Sequence, residues 1–256
     1  MDKRVIILPL DGMPSALAVA ESWARFFASP FARKLVGVRK YNDALHFPEY
    51  GPDILRLVRE AVSEADDVDD FIDLKIADVT ETDKNTLSHY VPYRPSIVTV
   101  TSVISCKALM AIKEILPNTR IALVDTLTDI KEEECLERYG MTPLEKISKA
   151  LASFEKLLKD DNPIDLVVCS PKETSALKQR FHYKIINAGI RSRHMAKDHQ
   201  ERTTDAYDAL SAGADLLVMG TQLTKGNPNH PDGPISPEES QRITAEEIER
   251  FFAEKK

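Results

Sequence analysis

Three charged residues in one short segment carry the strongest chemical signal in the sequence. Asp73, Lys75 and Asp78 form a D-x-K-x-x-D pattern at the end of an apolar run. Side chains alternate between the two faces of a strand, so Asp73 and Lys75 are expected to point together into a barrel interior. A buried charged pair is unfavourable unless partners compensate, and functional sites commonly tolerate that cost. The pattern predicts an active-site pair, with an ordinary ion pair at a barrel rim as the alternative.

Two further charged residues end the preceding strand-like runs. Asp11 follows the first run directly, and Lys40 lies near the end of the second. Either residue alone is typical of a solvated turn. Together with Asp73 and Lys75, they predict an alternating array in which every charge has an opposite neighbour. A preplaced ammonium in such an array can stabilise a carbanion and donate a proton to it.

The elements that must position these residues alternate along the chain. Helical apolar spacing predicts helices at 16–27, 53–65, 107–116, 143–158 and 238–253. Short β-branched runs predict eight strands, at 4–10, 34–41, 71–77, 96–101, 120–124, 165–169, 184–187 and 215–219. Alternation of strand and helix indicates a parallel sheet. Eight units in 256 residues predict an α/β fold, a single (β/α)8 TIM barrel forming one domain over 1–256.

A doubly wound open sheet is the alternative architecture. No G-x-G-x-x-G turn follows the first run, which favours the barrel. The acidic stretch 64–70 predicts a solvated turn before the third strand. The stretch 226–234, rich in turn formers, predicts a surface loop that either connects two elements or folds over a ligand.

Composition excludes several classes of function. The formal net charge of -7 leaves no broad basic surface for nucleic acid. No apolar stretch approaches the roughly 20 residues that span a bilayer, and the N-terminus lacks a signal-peptide pattern, so a cytoplasmic protein without membrane contact is expected. His194, His199 and His230 fall in predicted loops without metal-ligand spacing. Neither a metal nor a cofactor is predicted.

Several segments resemble one enzyme family in the same order. Residues 73–82 are similar to the D-x-K-x-x-D signature, followed by Thr, of the orotidine 5'-monophosphate decarboxylases. Residues 6–11 resemble the opening strand of that family, which ends in Asp, and 167–170 resemble its sixth strand. Residues 188–191 resemble its P-G-I-R segment, 199–202 its D-Q-x-R segment, and 212–220 its eighth strand. The resemblance covers nearly the whole chain.

The resemblance implies cofactor-free decarboxylation of orotidine 5'-monophosphate to UMP, in pyrimidine nucleotide biosynthesis, by a homodimer with shared active sites. It implies that Lys75 protonates C6 as carbon dioxide leaves, and that Asp73 lies against the substrate carboxylate. The partner subunit's Asp78, with Thr82 beside it, would complete the charged array. Lys40 and Asp11 would hold the ribose hydroxyls.

The resemblance also assigns the phosphate end of the substrate. Thr128, on strand five, would touch the substrate, while Arg191 and Gln200 would belong to the strand-seven loop that closes over the nucleotide. Backbone amides at Gly220 would form an anion seat with Thr221. Such remote contacts can drive loop closure and raise the rate of the chemistry.

This sequence departs from the family pattern at two places near the phosphate. Thr221 stands where the family usually has an Arg that binds phosphate bidentately, and a hydroxyl alone is a weaker phosphate partner than a guanidinium. Arg191, Arg193 and Lys225 are the candidates to substitute for it. Ala188 replaces the Pro that opens the family's strand-seven loop.

Three alternatives stay open. The spacing from Asp11 to Lys40 is long, which makes Lys34 a rival for the place of Lys40 in the array. A sugar-phosphate decarboxylase or hexulose-phosphate synthase of the same broader group would use Mg²⁺ and an acidic residue at the position of Lys40. A non-catalytic nucleotide-binding barrel is the alternative outside enzymes, motivated by the missing Arg at position 221.

Overall fold

Eight parallel strands close into a barrel in the computed structural model, which describes residues 4–62, 67–192, 194–195 and 204–255. Each strand pairs with the next in the chain, and β8 pairs with β1. The strands are β1 Ile6–Pro9, β2 Val36–Tyr41, β3 Asp69–Ile76, β4 Ile97–Thr101, β5 Arg120–Val124, β6 Ile164–Cys169, β7 Lys184–Asn187 and β8 Leu216–Val218. The prediction of a (β/α)8 barrel is confirmed, and every predicted strand overlaps an observed one.

Helices surround the barrel. Two of the predicted helices, at 16–27 and 143–158, have the predicted bounds, and those at 107–116 and 238–253 differ by one residue at each end. The helix predicted at 53–65 begins one residue later and ends at Ala61, and residues 63–65 lie outside the described residues. The helices are α1 Ala16–Phe27, α2 Pro30–Leu35, α3 Ile54–Ala61, α4 Thr80–Ser88, α5 Cys106–Ile115, α6 Glu132–Tyr139, α7 Pro143–Leu158, α8 Pro171–Arg180, α9 Ala206–Ser211, α10 Thr221–Lys225 and α11 Pro237–Glu254. Side-chain caps begin several of them; in α7, Thr142 and Glu145 form a capping box.

The short helix α2 corrects the predicted start of the second strand. Residues 34 and 35 belong to α2, and β2 begins at Val36. Pro30 starts this helix at a position where its missing N–H is not needed. The long spacing between Asp11 and Lys40 therefore contains an additional helix, and Lys34 lies exposed on it.

The barrel interior contains a cluster of apolar side chains below the C-terminal ends of the strands. Seven strands contribute one buried residue each to this cluster, namely Ile7, Val38, Phe71, Ile97, Ala122, Leu166 and Ile186. Because strand side chains alternate, the residues two positions later also point into the barrel, nearer its C-terminal end. On β2, β3 and β4 those residues are Lys40, Asp73 and Thr99. Towards the C-terminal ends of these three strands, the barrel interior therefore changes from apolar to polar and charged.

Residues of the opposite parity face the helices, where they form a buried ionic cluster. Arg39 donates from Nε to Asp70 Oδ1 over 2.7 Å, and Arg59 donates from Nε to Asp70 Oδ2 over 2.6 Å. Tyr41 also donates its hydroxyl to Asp70 over 3.1 Å. The prediction that 64–70 forms a solvated turn is therefore wrong at Asp70, which is buried in β3; residues 64–66 lie outside the described residues.

The stretch 226–234 connects α10 to α11 as a loop that pairs with itself. Asn227 and Ile235 exchange two backbone hydrogen bonds of 2.9 Å, and Asn227 Nδ2 donates to the His194 carbonyl oxygen over 2.7 Å. At Gly226, φ is +66°, and a Cβ would lie 2.2 Å from the Ile235 carbonyl oxygen, so only glycine fits there. Across the described ranges, no helix is long and apolar enough to cross a bilayer.

Candidate active site

Four charged side chains meet at the C-terminal ends of the first three strands. Lys40 Nζ lies 3.1 Å from Asp11 Oδ2 and 3.0 Å from Asp73 Oδ2, and Lys75 Nζ lies 3.0 Å from Asp73 Oδ1. The predicted alternating array is therefore present, in the order Asp11, Lys40, Asp73, Lys75. Lys40, and not Lys34, is therefore the lysine between Asp11 and Asp73.

Burial differs along the array in a way that matters for chemistry. The side chains of Lys40 and Asp73 are 11% and 12% exposed, whereas that of Lys75 is 34% exposed. The two buried groups neutralise each other inside the barrel. The ammonium of Lys75 lies at the open side, where a ligand can reach it.

Lys75 owes its position to an irregularity in β3. The residue has φ of +52°, in the left-handed region that non-glycine residues rarely adopt. Ile72 pairs with Val98, but Ile76 pairs with Val100, so β3 has two more residues than β4 between these points. The Lys75 backbone N–H, which has lost its place in the strand ladder, donates to Thr99 Oγ1 over 2.9 Å. Strain of this kind is concentrated at functional sites.

The two buried charges of the array, Lys40 and Asp73, are held in the ionised state by their neighbours. Burial favours neutral Asp73, but Lys40 and Lys75 outweigh this effect, so the pKa of Asp73 is lowered. Burial likewise favours neutral Lys40, but Asp73 and Asp11 outweigh it and the pKa of Lys40 is raised. Burial dominates at Asp11, whose pKa is raised despite its contact with Lys40.

The array lies in the wall of a cavity of about 590 Å³, here called the charged cavity. Its walls combine Asp11, Lys40, Asp73, Lys75 and Thr99 with apolar side chains on other strands and with the loop after β5. A concave cavity in which polar groups converge beside apolar side chains is typical of a small-molecule site. Within the described ranges, no three His, Cys, Asp or Glu side chains are grouped so that they could hold a metal ion.

Thr128 lines the charged cavity, but it does not lie on strand five. β5 ends at Val124, and Thr128 belongs to the loop that follows. Asp125 anchors the start of this loop: its carboxylate accepts from Lys146 Nζ over 2.9 Å and from Thr126 Oγ1 over 3.0 Å. The loop is thereby fixed against α7 while Thr126 and Thr128 face the cavity.

A second cavity, of about 400 Å³, adjoins the charged cavity and is here called the side cavity. Asp11, Ala188 and Val218 line both. The side cavity is also lined by Arg191, Gly220 and Thr221, the residues assigned to the phosphate end from the sequence. Gly220 has a packing role as well, because a Cβ there would lie 2.7 Å from Pro9 Cγ.

A buried polar network holds the segment after β7 beside the side cavity. Ser192 N donates to Gln222 Oε1 over 3.1 Å, and Gln222 Nε2 donates to Ser192 Oγ and Thr244 Oγ1. The Arg191 backbone N–H donates to the Thr204 carbonyl oxygen over 2.9 Å. Gln222 therefore has its amide occupied within the fold. Gln200 and Arg193 lie outside the described residues.

Asp78 and Thr82 do not line either cavity of the single chain. Both are exposed at the start of α4. The Asp78 backbone N–H donates to Asp83 Oδ1 over 3.1 Å, and Asp78 Oδ1 accepts from the Val79 backbone N–H over 2.6 Å. Val79 beside them is 68% exposed, and Val103, on the loop after the adjacent β4, is 80% exposed. The structure thus separates these two residues from the other members of the predicted array.

Sequence reasoning missed two polar residues that support Asp73. Thr99 Oγ1 donates to Asp73 Oδ1 over 2.9 Å, and Asn42 Nδ2 donates to the Asp73 carbonyl oxygen over 2.6 Å. The available signal for Thr99 was its polar side chain between Val98 and Val100, at an inward position of the strand Ile97–Thr101. The signal for Asn42 was only its position directly after β2.

Comparison with known sequences places the chain in a family. The profile of the orotidine 5'-phosphate decarboxylase / HUMPS family matches residues 44–230, well over half of the chain. The chain belongs to the orotidine 5'-phosphate decarboxylase / HUMPS family. Among similar members, the orotidine 5'-phosphate decarboxylase of Thermobifida fusca is 30% identical over 209 residues, which cover 80% of this chain and 83% of that protein. That of Prochlorococcus marinus (strain MED4) is 28% identical over 198 residues, 72% of this chain and 78% of that protein.

Solved structures agree on the fold of this decarboxylase / HUMPS family member. The orotidine 5'-phosphate decarboxylase of Pyrococcus horikoshii superposes with a TM-score of 0.63 at 23% identity, covering 95% of this chain and 99% of that chain. An uncharacterized conserved protein of Geobacillus kaustophilus superposes with a TM-score of 0.68 at 21% identity, with the same coverage. The barrel described above is therefore shared with these structures over nearly its whole length.

Proposed function

We propose that the protein decarboxylates orotidine 5'-monophosphate to UMP, a step of pyrimidine nucleotide biosynthesis, without a cofactor. The observation that carries the proposal is the array itself, in which the Lys75 ammonium lies 3.0 Å from Asp73 and faces the charged cavity. Family membership supports it, as do relatives named orotidine 5'-phosphate decarboxylase that align with most of the chain.

The chemistry follows from the placement of one ammonium group. Breaking the bond between C6 and the carboxylate leaves the electron pair on C6, where the pyrimidine ring delocalises it poorly. An ammonium fixed beside C6 stabilises that charge as it develops and then transfers its proton to C6. Carbon dioxide leaves, UMP forms, and the neutral amine of Lys75 regains a proton from water. We assign this acid role to Lys75.

Asp73 has two parts in this proposal. It holds the ammonium groups of Lys40 and Lys75 in place, and it lies against the carboxylate of the bound substrate. Two adjacent carboxylates repel each other in the bound substrate, and the repulsion ends as carbon dioxide departs. Lys40 and Asp11 hold the ribose hydroxyls, and Thr128 contacts the substrate from the loop after β5.

The phosphate of the substrate extends into the side cavity. The two cavities share three lining residues, so one ligand can occupy both. Arg191, Gly220 and Thr221 line the phosphate end, and Gln200 is assigned there by family resemblance. Contacts with phosphate, distant from C6, provide binding energy that favours closure and positioning of the reacting ring.

We further propose a homodimer in which each site contains the partner subunit's Asp78, with Thr82 beside it. Asp78 and Thr82 are exposed next to Val79, and Val103 is exposed on the adjacent loop. Exposed apolar side chains around polar groups are typical of interaction surfaces. The partner subunit's Asp78 would add a second carboxylate beside Lys75, which pairs with Asp73 in the described part of one chain.

A sugar-phosphate decarboxylase or hexulose-phosphate synthase is the second candidate, because the family description includes HUMPS. Such an enzyme would use Mg²⁺ held by an acidic residue in the place of Lys40. Here the Lys40 ammonium lies between Asp11 and Asp73 and would repel a divalent cation. The observed charge pattern therefore favours the decarboxylation of a nucleotide.

The proposal is tested by following the absorbance of orotidine 5'-monophosphate with purified protein. We expect its steady loss and the appearance of UMP, confirmed by chromatography, at the same rate with and without EDTA. A rate that EDTA abolishes and Mg²⁺ restores would favour the second candidate. No turnover at saturating substrate would exclude the proposed reaction, and UMP binding without turnover would indicate a non-catalytic barrel.

A further inference from the structure

We propose that Lys225 provides the cation that binds the phosphate group of the ligand, and so determines the preference of this protein for nucleotides over nucleosides. The inference rests on the proposed function, because it takes the occupant of the side cavity to be the phosphate of the substrate. It assigns that role to a lysine at the end of α10.

The geometry of the two cavities sets where a phosphate would lie. A ligand whose reacting atom faces Lys75 continues past Asp11, Ala188 and Val218 into the side cavity. That cavity has a volume of about 400 Å³, which is ample for a phosphate group and its water. Two cationic side chains line it, Arg191 and Lys225, together with the hydroxyl-bearing Thr221 and Thr224.

The charge balance of the side cavity points to Lys225. Among the described residues that line it, Asp11 is the one carboxylate, and Lys40 already pairs with it over 3.1 Å. Lys225 makes no hydrogen bond or ion pair with any part of the chain that the structure describes. The guanidinium of Arg191, in contrast, already donates from one nitrogen to the Ile190 carbonyl oxygen over 2.9 Å. A dianion entering this cavity would therefore meet an uncompensated ammonium.

The backbone at both ends of α10 fixes where this ammonium can reach. Gly220 packs against Pro9 at the start of the helix, and Gly226 ends it against the Ile235 carbonyl oxygen. The buried amide of Gln222, one turn before Lys225, is bound to Ser192 and Thr244. Because the backbone of this turn is already fixed, ligand binding has to order only the side-chain torsions of Lys225.

The test compares Lys225→Met with Lys34→Met, a matched control that removes an exposed lysine from α2, away from both cavities. Calorimetry gives the Kd of each protein for UMP and for uridine, and steady-state assays give kcat/KM for orotidine 5'-monophosphate. We expect Lys225→Met to weaken UMP binding and to lower kcat/KM, each by about 10-fold. This is the lower end of the range for a hydrogen bond to a charged group, because the Lys225 side chain is exposed. Uridine binding should not change, and Lys34→Met should match wild type.

A charge-retaining variant and ionic strength separate a phosphate contact from a packing effect. Lys225→Arg should stay within about 3-fold of wild type, since it keeps the positive charge. The difference between wild type and Lys225→Met for UMP should shrink as salt is raised, because salt screens exposed charges. Circular dichroism checks that each variant is folded.

The outcomes distinguish this inference from the proposed function. If wild type turns over substrate but Lys225→Met matches Lys34→Met for UMP, the inference is wrong and the function stands. If Lys225→Met weakens UMP and uridine equally, the contact is not with phosphate and the inference is again wrong. If wild type binds UMP without turnover and Lys225→Met weakens that binding, the phosphate contact stands and the decarboxylase function fails. A wild type that neither binds UMP nor turns over orotidine 5'-monophosphate overturns both.

Discussion

Asp73 is the residue on which the charge balance of the site depends. One of its carboxylate oxygens binds Lys40, and the other binds Lys75 and the Thr99 hydroxyl. Because two ammonium groups contact it inside a barrel, removing its charge would leave them facing each other. The same two ammonium groups lower the pKa of Asp73 and so favour its ionised form.

Asp73→Asn should destabilise the fold in a pH-dependent way. The folded pKa of Asp73 is below its ordinary value of 3.8, so its ionised form contributes stability above that value and loses it as pH falls through the folded pKa. At neutral pH, we expect the variant to lose about 3 kcal/mol of unfolding free energy, as for a broken buried pair. Urea unfolding at decreasing pH measures this. The difference in unfolding free energy between wild type and Asp73→Asn should narrow below pH 3.8. A difference that stays constant with pH would refute the assigned ionisation of Asp73.

At the residue scale, the sequence allowed prediction of the charges but not of their neutral partners. Asp11, Lys40, Asp73 and Lys75 stand out as a set, because they lie at the ends of three successive apolar runs and strand periodicity places Asp73 and Lys75 on one face. Thr99 does not stand out, because Thr is common in strands on either face and β4 contains a second one, Thr101. Its role depends on the register of β4 against β3, which is a long-range property that one strand does not encode.

Among the elements, β3 combines a regular part with an irregular one. From Asp69 to Ile72 it pairs in register with its neighbours, and beyond Ile72 it has two extra residues relative to β4. Regular alternation was enough to predict that Asp73 and Lys75 share a face. It could not predict the positive φ of Lys75, since that conformation is imposed by the surrounding strands. The helix α2 was missed for a related reason: its six residues are too few for apolar periodicity to show.

The irregular part of β3 depends on the Thr99 hydroxyl supplied by β4. Thr99→Val keeps the shape of the side chain but leaves the Lys75 backbone N–H without its acceptor. We expect a loss of about 1 to 3 kcal/mol of unfolding free energy, together with a lower kcat, because Lys75 is less well positioned. KM should change little, since the ligand contacts of Lys40 and Asp11 persist. Thr99→Ser, which keeps the hydroxyl, is the matched control, and a Val variant with unchanged kcat would contradict this role.

For the whole molecule, closure of the barrel brings strand ends from distant parts of the chain into one cavity. Asp11 and Val218 are more than 200 residues apart in sequence, yet both line the two cavities. The number and order of strands made this closure predictable from the sequence. The adjoining side cavity was not predictable, because its shape depends on how α10 packs against β1 and on the polar network around Gln222.

The shared active site predicts complementation between two inactive variants. Lys75→Ala and Asp78→Asn should each be inactive as pure homodimers. When subunits are exchanged, a mixed dimer contains one site with both substitutions and one site with neither. Random exchange should therefore restore about one quarter of the wild-type activity. If the mixture remains inactive although mixed dimers form, Asp78 does not act across the interface.

The most direct test of the central claim measures decarboxylation by Lys75→Ala beside wild type under identical conditions. The proposed role of Lys75 as the acid at C6 predicts that the variant keeps the circular dichroism spectrum and unfolding midpoint of a folded barrel. Its kcat should fall by at least about 10² to 10⁴, the usual contribution of a positioned acid. A folded Lys75→Ala that converts orotidine 5'-monophosphate to UMP at the wild-type rate would contradict the mechanism.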